Sequence, residues 1–196
     1  ANANMDSVPL VAITGQVPTN MIGNDSFQEA DIYGISVPIT KYNYLVKDVS
    51  KLERVLVEAF HVAKSGRPGP VLVDVPRDIQ TSEAVPEKSL ELRLPSYRPS
   101  IKGNAKQIIE AARAIESADK PVIYAGGGVI SSGAGEELIR LAEIGSIPVA
   151  MTLMGLGAFP GTHSLSLGML GMHGTKYANI AVAETDVLIA IGTRFS

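Results

Sequence analysis

Apolar residues in this chain fall into short unbroken runs, separated by stretches with helical spacing. Val8 to Ile13, Val71 to Val75, Pro121 to Ala125, Pro148 to Leu153 and Asp186 to Ile191 each read as a strand of a buried parallel sheet. Leu52, Val55, Leu56, Ala59, Phe60 and Ala63 mark one face of a helix, opened by Ser50 with Glu53 as a capping box and ended by Gly66. Asn104 caps another helix, with Ile108, Ala111, Ala112 and Ile115 facing inward. A further helix starts near Gly133 and buries Ala134, Leu138, Leu141 and Ala142, and Gly174 to Val182 includes one more. Ile35 to Ile39, interrupted by Pro38, predicts an edge strand or an extended connector. Strand–helix–strand alternation specifies an α/β fold, with parallel sheets and right-handed crossovers.

The pattern changes after Asp78. From Gln80 to Gly103 come Pro86, Pro95 and Pro99, several charges and no sustained period, the composition of a surface linker. The expected organisation is one three-layer parallel-sheet domain over 1–80, a linker over 81–103 and a second such domain over 104–196.

Chemistry is expected at the strand ends. Gly15 to Glu29 reads GQVPTNMIGNDSFQE, and Gly15, Pro18 and Gly23 rule out a regular helix or strand across it. It is therefore a structured loop at the carboxyl end of a strand, where open α/β sheets place ligands. Met21, Ile22 and Phe27 offer apolar surface, and Gln16, Asn20, Asn24 and Gln28 offer neutral hydrogen-bonding groups. That mixture suits a flat, weakly polar organic group. An ordinary strand-to-helix connection with one buried Phe explains the same residues, and physics alone favours it. In the second half, Gly126-Gly127-Gly128 lies between a strand and a helix, where backbone N–H groups can meet a diphosphate. It fits neither the dinucleotide fingerprint nor a Walker loop, and a tight structural turn is an equal alternative. Gly155, Gly157, Gly171, Gly174 and Gly192 at neighbouring ends favour an extended nucleotide. Arg67, Arg77 and Arg194 suit phosphate oxygens or surface ion pairs. Of the histidines, His61 is expected to be structural and His163 solvated, leaving His173 for ligand contact.

Composition narrows the classes. A formal charge of −3, sparse aromatics and no tryptophan argue against nucleic acid and anionic membrane. With no cysteine, a disulfide framework, a thiolate nucleophile and a Cys-ligated zinc are excluded. No metal-ligand spacing is present. No apolar run approaches the roughly 20 residues that span a bilayer, and ANANMDSVPL lacks the regions of a signal peptide. The expectation is a cytoplasmic protein, and both ends read as cut, so the chain is expected to be an internal piece of a longer polypeptide.

Taken together, DSVPLVAITGQVP (6–18), MIGNDSFQE (21–29), ITKYNYLVKD (39–48), SGRPGPVLVDVPRDIQ (65–80), TLMGLGAFPG (152–161) and MLGMHGTKYAN (169–179) resemble the large catalytic subunit of the acetolactate synthase family of thiamine-diphosphate enzymes. The resemblance implies that 1–80 is the latter part of the domain binding the thiamine aminopyrimidine. It also implies that 104–196 is the first part of a Rossmann-like central domain holding FAD. The implied reaction condenses pyruvate with a second pyruvate or 2-oxobutyrate, with loss of CO2, in branched-chain amino-acid synthesis. Glyoxylate carboligase, pyruvate oxidase or a non-catalytic nucleotide-binding module are the alternatives; NDSFQE argues against the first two.

Carried over by residue, Gln28 and Phe27 stand at the thiamine and substrate pocket as the catalytic pair, with Gln28 also touching the cofactor. Pro18, Ser26, Lys41 and Arg77 line the substrate channel; Arg77 replaces a lysine of plant and yeast relatives. Ser7 and Arg67 are FAD contacts. So are Gly126, Gly127 and Gly128, then Thr152, Leu153, Met154 and Gly155, then Leu170, Gly171, Met172 and His173. Gly192, Thr193, Arg194, Phe195 and Ser196 complete the set, Ser196 standing where plants have aspartate. In the family the glutamate that activates the aminopyrimidine and the motif that binds Mg2+ lie outside these residues. The expectation is therefore that 1–196 alone has no carboligase activity. The parent is expected to be a homodimer or homotetramer with a regulatory small subunit.

Overall fold

In the computed structural model, residues 1–86 and 90–195 are described. The chain forms two compact units, Ala1–Lys102 and Gly103–Ser196.

The first unit is built on its most apolar run. β1 (Leu10–Gln16), β2 (Tyr42–Leu45) and β3 (Pro70–Pro76) are parallel, in the order β1-β3-β2. Because β3 is central, every one of its residues is buried. Short helices α1 (Asn2–Met5) and α2 (Ile32–Ser36) flank the first two strands, and α3 (Leu52–Lys64) covers one sheet face. There Val71, Val73 and Val75 pack on Val55, Ala59, Val62 and Ala63. α4 (Arg77–Thr81) follows β3 directly.

The second unit has a four-stranded sheet in the order β6-β5-β4-β7, again all parallel. Its strands are β4 (Pro121–Ala125), β5 (Val149–Met151), β6 (Ser166–Met169) and β7 (Val187–Ile191). Helix α5 (Ala105–Glu116) precedes them; α6 (Gly127–Ser132) and α7 (Gly135–Gly145) cover one face, and α8 (Lys176–Glu184) the other. Phe159, Ile123 and Ile147 are the largest side chains sealed in this core.

The α/β class with parallel sheets is as expected. Several elements differ from the pattern-based expectation. Ile35–Ile39 is helical rather than extended, because Asp31 caps α2 by accepting from Gly34 N and a turn of 3-10 helix, Val37–Ile39, follows. β1 starts at Leu10 and continues through Gly15 and Gln16, which pair with Val75 and Pro76, so the loop begins at Val17. The cap near Ser50 is Asp48, whose carboxylate accepts from Ser50 N. Phe60 is 59% exposed, while Glu58 and Val62 occupy the buried stripe of α3. In α5, capped by Asn104 as expected, no residue is buried, and Ile108 is 59% exposed.

Candidate functional site

The loop after β1 is organised by side chains. The Gln16 amide accepts from Val17 N at 2.9 Å and donates to Ala30 O at 2.7 Å. Asp78, at the start of α4, accepts from Thr19 N at 3.0 Å and from the Thr19 hydroxyl. These bonds, Thr19's hydroxyl first, hold the Asp78 carboxyl below the usual carboxylate range. Glu29 turns back into the loop to accept from Gly23 N and from Ser26 N, and the Gly23 amide is the main cause of its lowered pKa. With these anchors in place, Asp25 and Gln28 adopt left-handed φ of 54° and 64°. The turn throws Phe27 outward to 88% exposure, so the residue is not the buried plug of an ordinary connection. Gln28 is exposed beside it. Ser26 donates to Met21 O at 3.0 Å, and Pro18 stands at the loop's start. Arg77 is exposed at the carboxyl end of β3. Pro18, Ser26, Phe27, Gln28 and Arg77 therefore belong to one end of the sheet.

Lys41 does not join them. It precedes β2, and its backbone N–H donates to Pro70 O at 2.7 Å, at the amino end of the sheet. At about 3.3 Å per residue, the length of β3 sets it roughly 20 Å away along the strand direction. Its ammonium donates to Val62 O and Ser65 O at the end of α3 and sits 5.2 Å from the centre of the Tyr97 ring. Ser7 and Arg67 lie at this same end and touch directly: the Arg67 guanidinium donates to the Ser7 hydroxyl at 2.9 Å and to Asn4 O at 2.8 Å. Those bonds, more than the following Pro68-Gly69-Pro70 turn, hold the arginine.

In the second unit all the predicted loops meet at the carboxyl edge. Gly126, Gly127 and Gly128 follow β4; Thr152, Leu153, Met154 and Gly155 follow β5; Leu170, Gly171, Met172 and His173 follow β6; Gly192, Thr193, Arg194 and Phe195 follow β7. Ser196 lies outside the described residues. The glycines here make room for backbone. A Cβ on Gly126 would sit 2.4 Å from Gly192 O and 2.5 Å from Thr193 Cα, and one on Gly155 would sit 2.4 Å from Ala125 O. The Gly128 N–H is already bonded to Gly192 O at 2.9 Å. So the triplet is first a close-packed junction, and a ligand would meet the loops around it. Asn179 fixes the loop after β6, accepting from Gly171 N at 3.1 Å and donating to Gly171 O at 3.0 Å. Around this rim Leu153, Met154, Phe195 and Met172 are exposed, by 69, 51, 71 and 93%. The Thr193 hydroxyl is buried and has no hydrogen-bond partner among the described residues. An apolar rim with an unanswered polar atom fits a large flat ligand carrying polar groups.

His173 is exposed on that rim, whereas His163 is not simply solvated. Its ring accepts from Leu165 N, lies 3.3 Å from Glu143 and packs edge-on to Phe159, which makes it structural. A cavity of about 790 Å³ opens elsewhere, among Ile115, Pro121, Leu141, Pro148 and Ala181 at the amino end of the second sheet. Among the described residues no helix is long and apolar enough to cross a membrane.

Two all-parallel sheets with their loops gathered at carboxyl edges accord with the thiamine pyrophosphate enzymes, and residues 108–196 match the family described as "Thiamine pyrophosphate enzyme, central domain". The matched residues take in every strand of the second sheet. The whole chain is similar to acetolactate synthase large subunits. Identity is 54% to a probable acetolactate synthase large subunit of Methanocaldococcus jannaschii, covering 100% of this chain and 34% of that protein. It is 53% to the acetolactate synthase large subunit of Corynebacterium glutamicum, covering 100% and 31%. It is likewise 53% to acetolactate synthase 2, chloroplastic, of Nicotiana tabacum, covering 100% and 29%. The chain thus spans about a third of the length of these relatives.

Proposed function

We propose that this chain works as part of the catalytic subunit of an acetolactate synthase. Such an enzyme condenses two pyruvates, or pyruvate and 2-oxobutyrate, to the 2-acetohydroxy acid with loss of CO2, for branched-chain amino-acid synthesis. The observation that carries this reading is similarity to acetolactate synthases over 100% of the chain. Residues 1–80 are assigned to the pyrimidine-binding domain, 81–103 to a linker and 104–196 to the start of the FAD-binding domain.

Thiamine diphosphate, when bound with Mg2+, would supply the carbanion-stabilising chemistry that 2-oxo acid decarboxylation needs. This chain's residues supply surroundings. The projecting Phe27 ring forms an apolar wall that excludes water, and the Gln28 amide offers a donor and an acceptor to orient substrate. Pro18, Ser26 and Arg77 line the approach, where the guanidinium suits a 2-oxo acid carboxylate. Lys41, Ser7 and Arg67, at the opposite end of the sheet, would meet a different part of the ligand set. FAD, which would supply a redox-capable ring, fits Thr193 and the rim of Thr152–Gly155, Leu170–His173 and Arg194–Phe195. The active parent would be a homo-oligomer in the cytoplasm, with a regulatory small subunit.

The test expresses the full catalytic subunit carrying this segment, supplies thiamine diphosphate, Mg2+ and FAD, and measures acetolactate from pyruvate. Activity is expected there and none from the 196-residue polypeptide alone. A full subunit that forms no acetolactate would overturn the reading, and product from the short chain would overturn the division of labour.

A further inference from the structure

The residues that would touch ligand are carried on a loop whose posture is set from beneath by two others. A single planar amide, that of Gln16, joins the loop's two ends, bonding Val17 N at its start and Ala30 O at its finish. The same amide nitrogen donates to Asp74 Oδ2 at 3.1 Å, while Asp74 Oδ1 accepts from the Thr14 hydroxyl at 2.7 Å. Asp74 is fully buried in β3, at 0% exposure. The carboxylate dictates which way the amide points. If the amide were reversed, its oxygen would face both Asp74 and the Ala30 carbonyl, acceptor against acceptor, and Val17 N would face a donor. Left-handed φ at two non-glycine residues, Asp25 and Gln28, persists only where the surroundings over-determine it, and this clasp supplies the outer constraint.

We propose that Gln16, oriented by Asp74, is a positioning residue: it clasps the loop over 17–30 so that Phe27 and Gln28 keep the posture that meets substrate. The inference rests on the reading of Phe27 and Gln28 given above. Gln16 itself touches neither substrate nor cofactor in this scheme.

The test is a mutant cycle in the full catalytic subunit carrying this segment, using Gln16→Met, Gln28→Ala and the double variant. Gln16→Met keeps the volume and removes the clasp, and is expected to lower kcat/KM for pyruvate by about ten- to a hundredfold. The thermal midpoint should fall, since Asp74 Oδ2 loses its partner, while amide hydrogen exchange rises across residues 19–29 and not in β3. The double variant should be no slower than Gln28→Ala by more than about twofold, because both changes act through one loop. Should Gln16→Met fail to fold, Asp74→Asn, which can still accept from Thr14, replaces it with the same expectations. Gln16→Met at parental kcat/KM beside a crippled Gln28→Ala would overturn the clasp and leave the site reading standing. Fully additive losses would also overturn it. Parental activity in Gln28→Ala would overturn the site reading, and the clasp with it.

Discussion

The two sheets end in loops held by opposite means. After β1, the loop is fastened by side chains: Gln16, Asp74, Asp78 and Glu29 each accept or donate across it. After β4, β5 and β7, the loops are fastened by backbone against backbone, in spaces that only a missing Cβ leaves open. The difference teaches where each edge tolerates change. Side-chain struts can be weakened one hydrogen bond at a time, whereas a glycine junction has no intermediate state between fitting and clashing.

The largest effect is expected at Gly126. Its φ of −115° is open to any residue, so its need for glycine is purely spatial. Gly126→Ala should destabilise the second unit by about 3 kcal/mol in urea unfolding, since the backbone of Gly192 and Thr193 must move. A loss below about 1 kcal/mol would end the contrast between the two edges. Asp74→Ala comes next, leaving the Thr14 hydroxyl and the Gln16 amide short of an acceptor, at about 2 kcal/mol by the same measurement. Gly133→Ala is the control that separates space from conformation. Gly133 has nothing within 4 Å of its would-be Cβ but a φ of +70°, so about 1 kcal/mol is expected from backbone preference alone. The smallest effect is a pH dependence. Asp78 has a carboxyl held below its unfolded value by Thr19, so its contribution is present above that value, about pH 4. It fades as pH falls through the lower folded value. Asp78→Asn should therefore flatten the acid limb of a stability–pH curve below about pH 4 and leave the limb near neutrality unchanged.

Sequence patterning located the long uniform runs and missed the mixed ones. Val71–Val75 and Pro121–Ala125 are legible because central parallel strands are apolar at nearly every position, Asp74 being the exception. Tyr42–Leu45 was not, since Asn43 is buried there through bonds to Tyr33 O and Ser36, a satisfaction that no apolar count detects. Ser166–Met169 was hidden by Gly168, with φ of +72°, at a register irregularity between β5 and β6. Ile35–Ile39 misled because Pro38 reads as a strand breaker, yet it also suits the first turn of a 3-10 helix. As for the candidate site, spacing identified the strand ends but not how they are built. The glycine triplet, open in the sequence between a diphosphate loop and a tight structural turn, packs against Gly192, a partner distant in sequence. The Gln16–Asp74 bond likewise spans a separation of 58 positions, beyond the reach of local motifs. The residue roles came from resemblance to a family.

β1 is an outer strand of its sheet and leaves Ile13 63% exposed, while β7 is an outer strand of the other and leaves Leu188 36% exposed. Among the described residues, each has no strand paired on its outer side, beside apolar side chains, the template on which strands zip together laterally. Purified alone, the polypeptide should scatter more light as its concentration rises, and a lysine substituted at Ile13 (Ile13→Lys) should keep it dispersed.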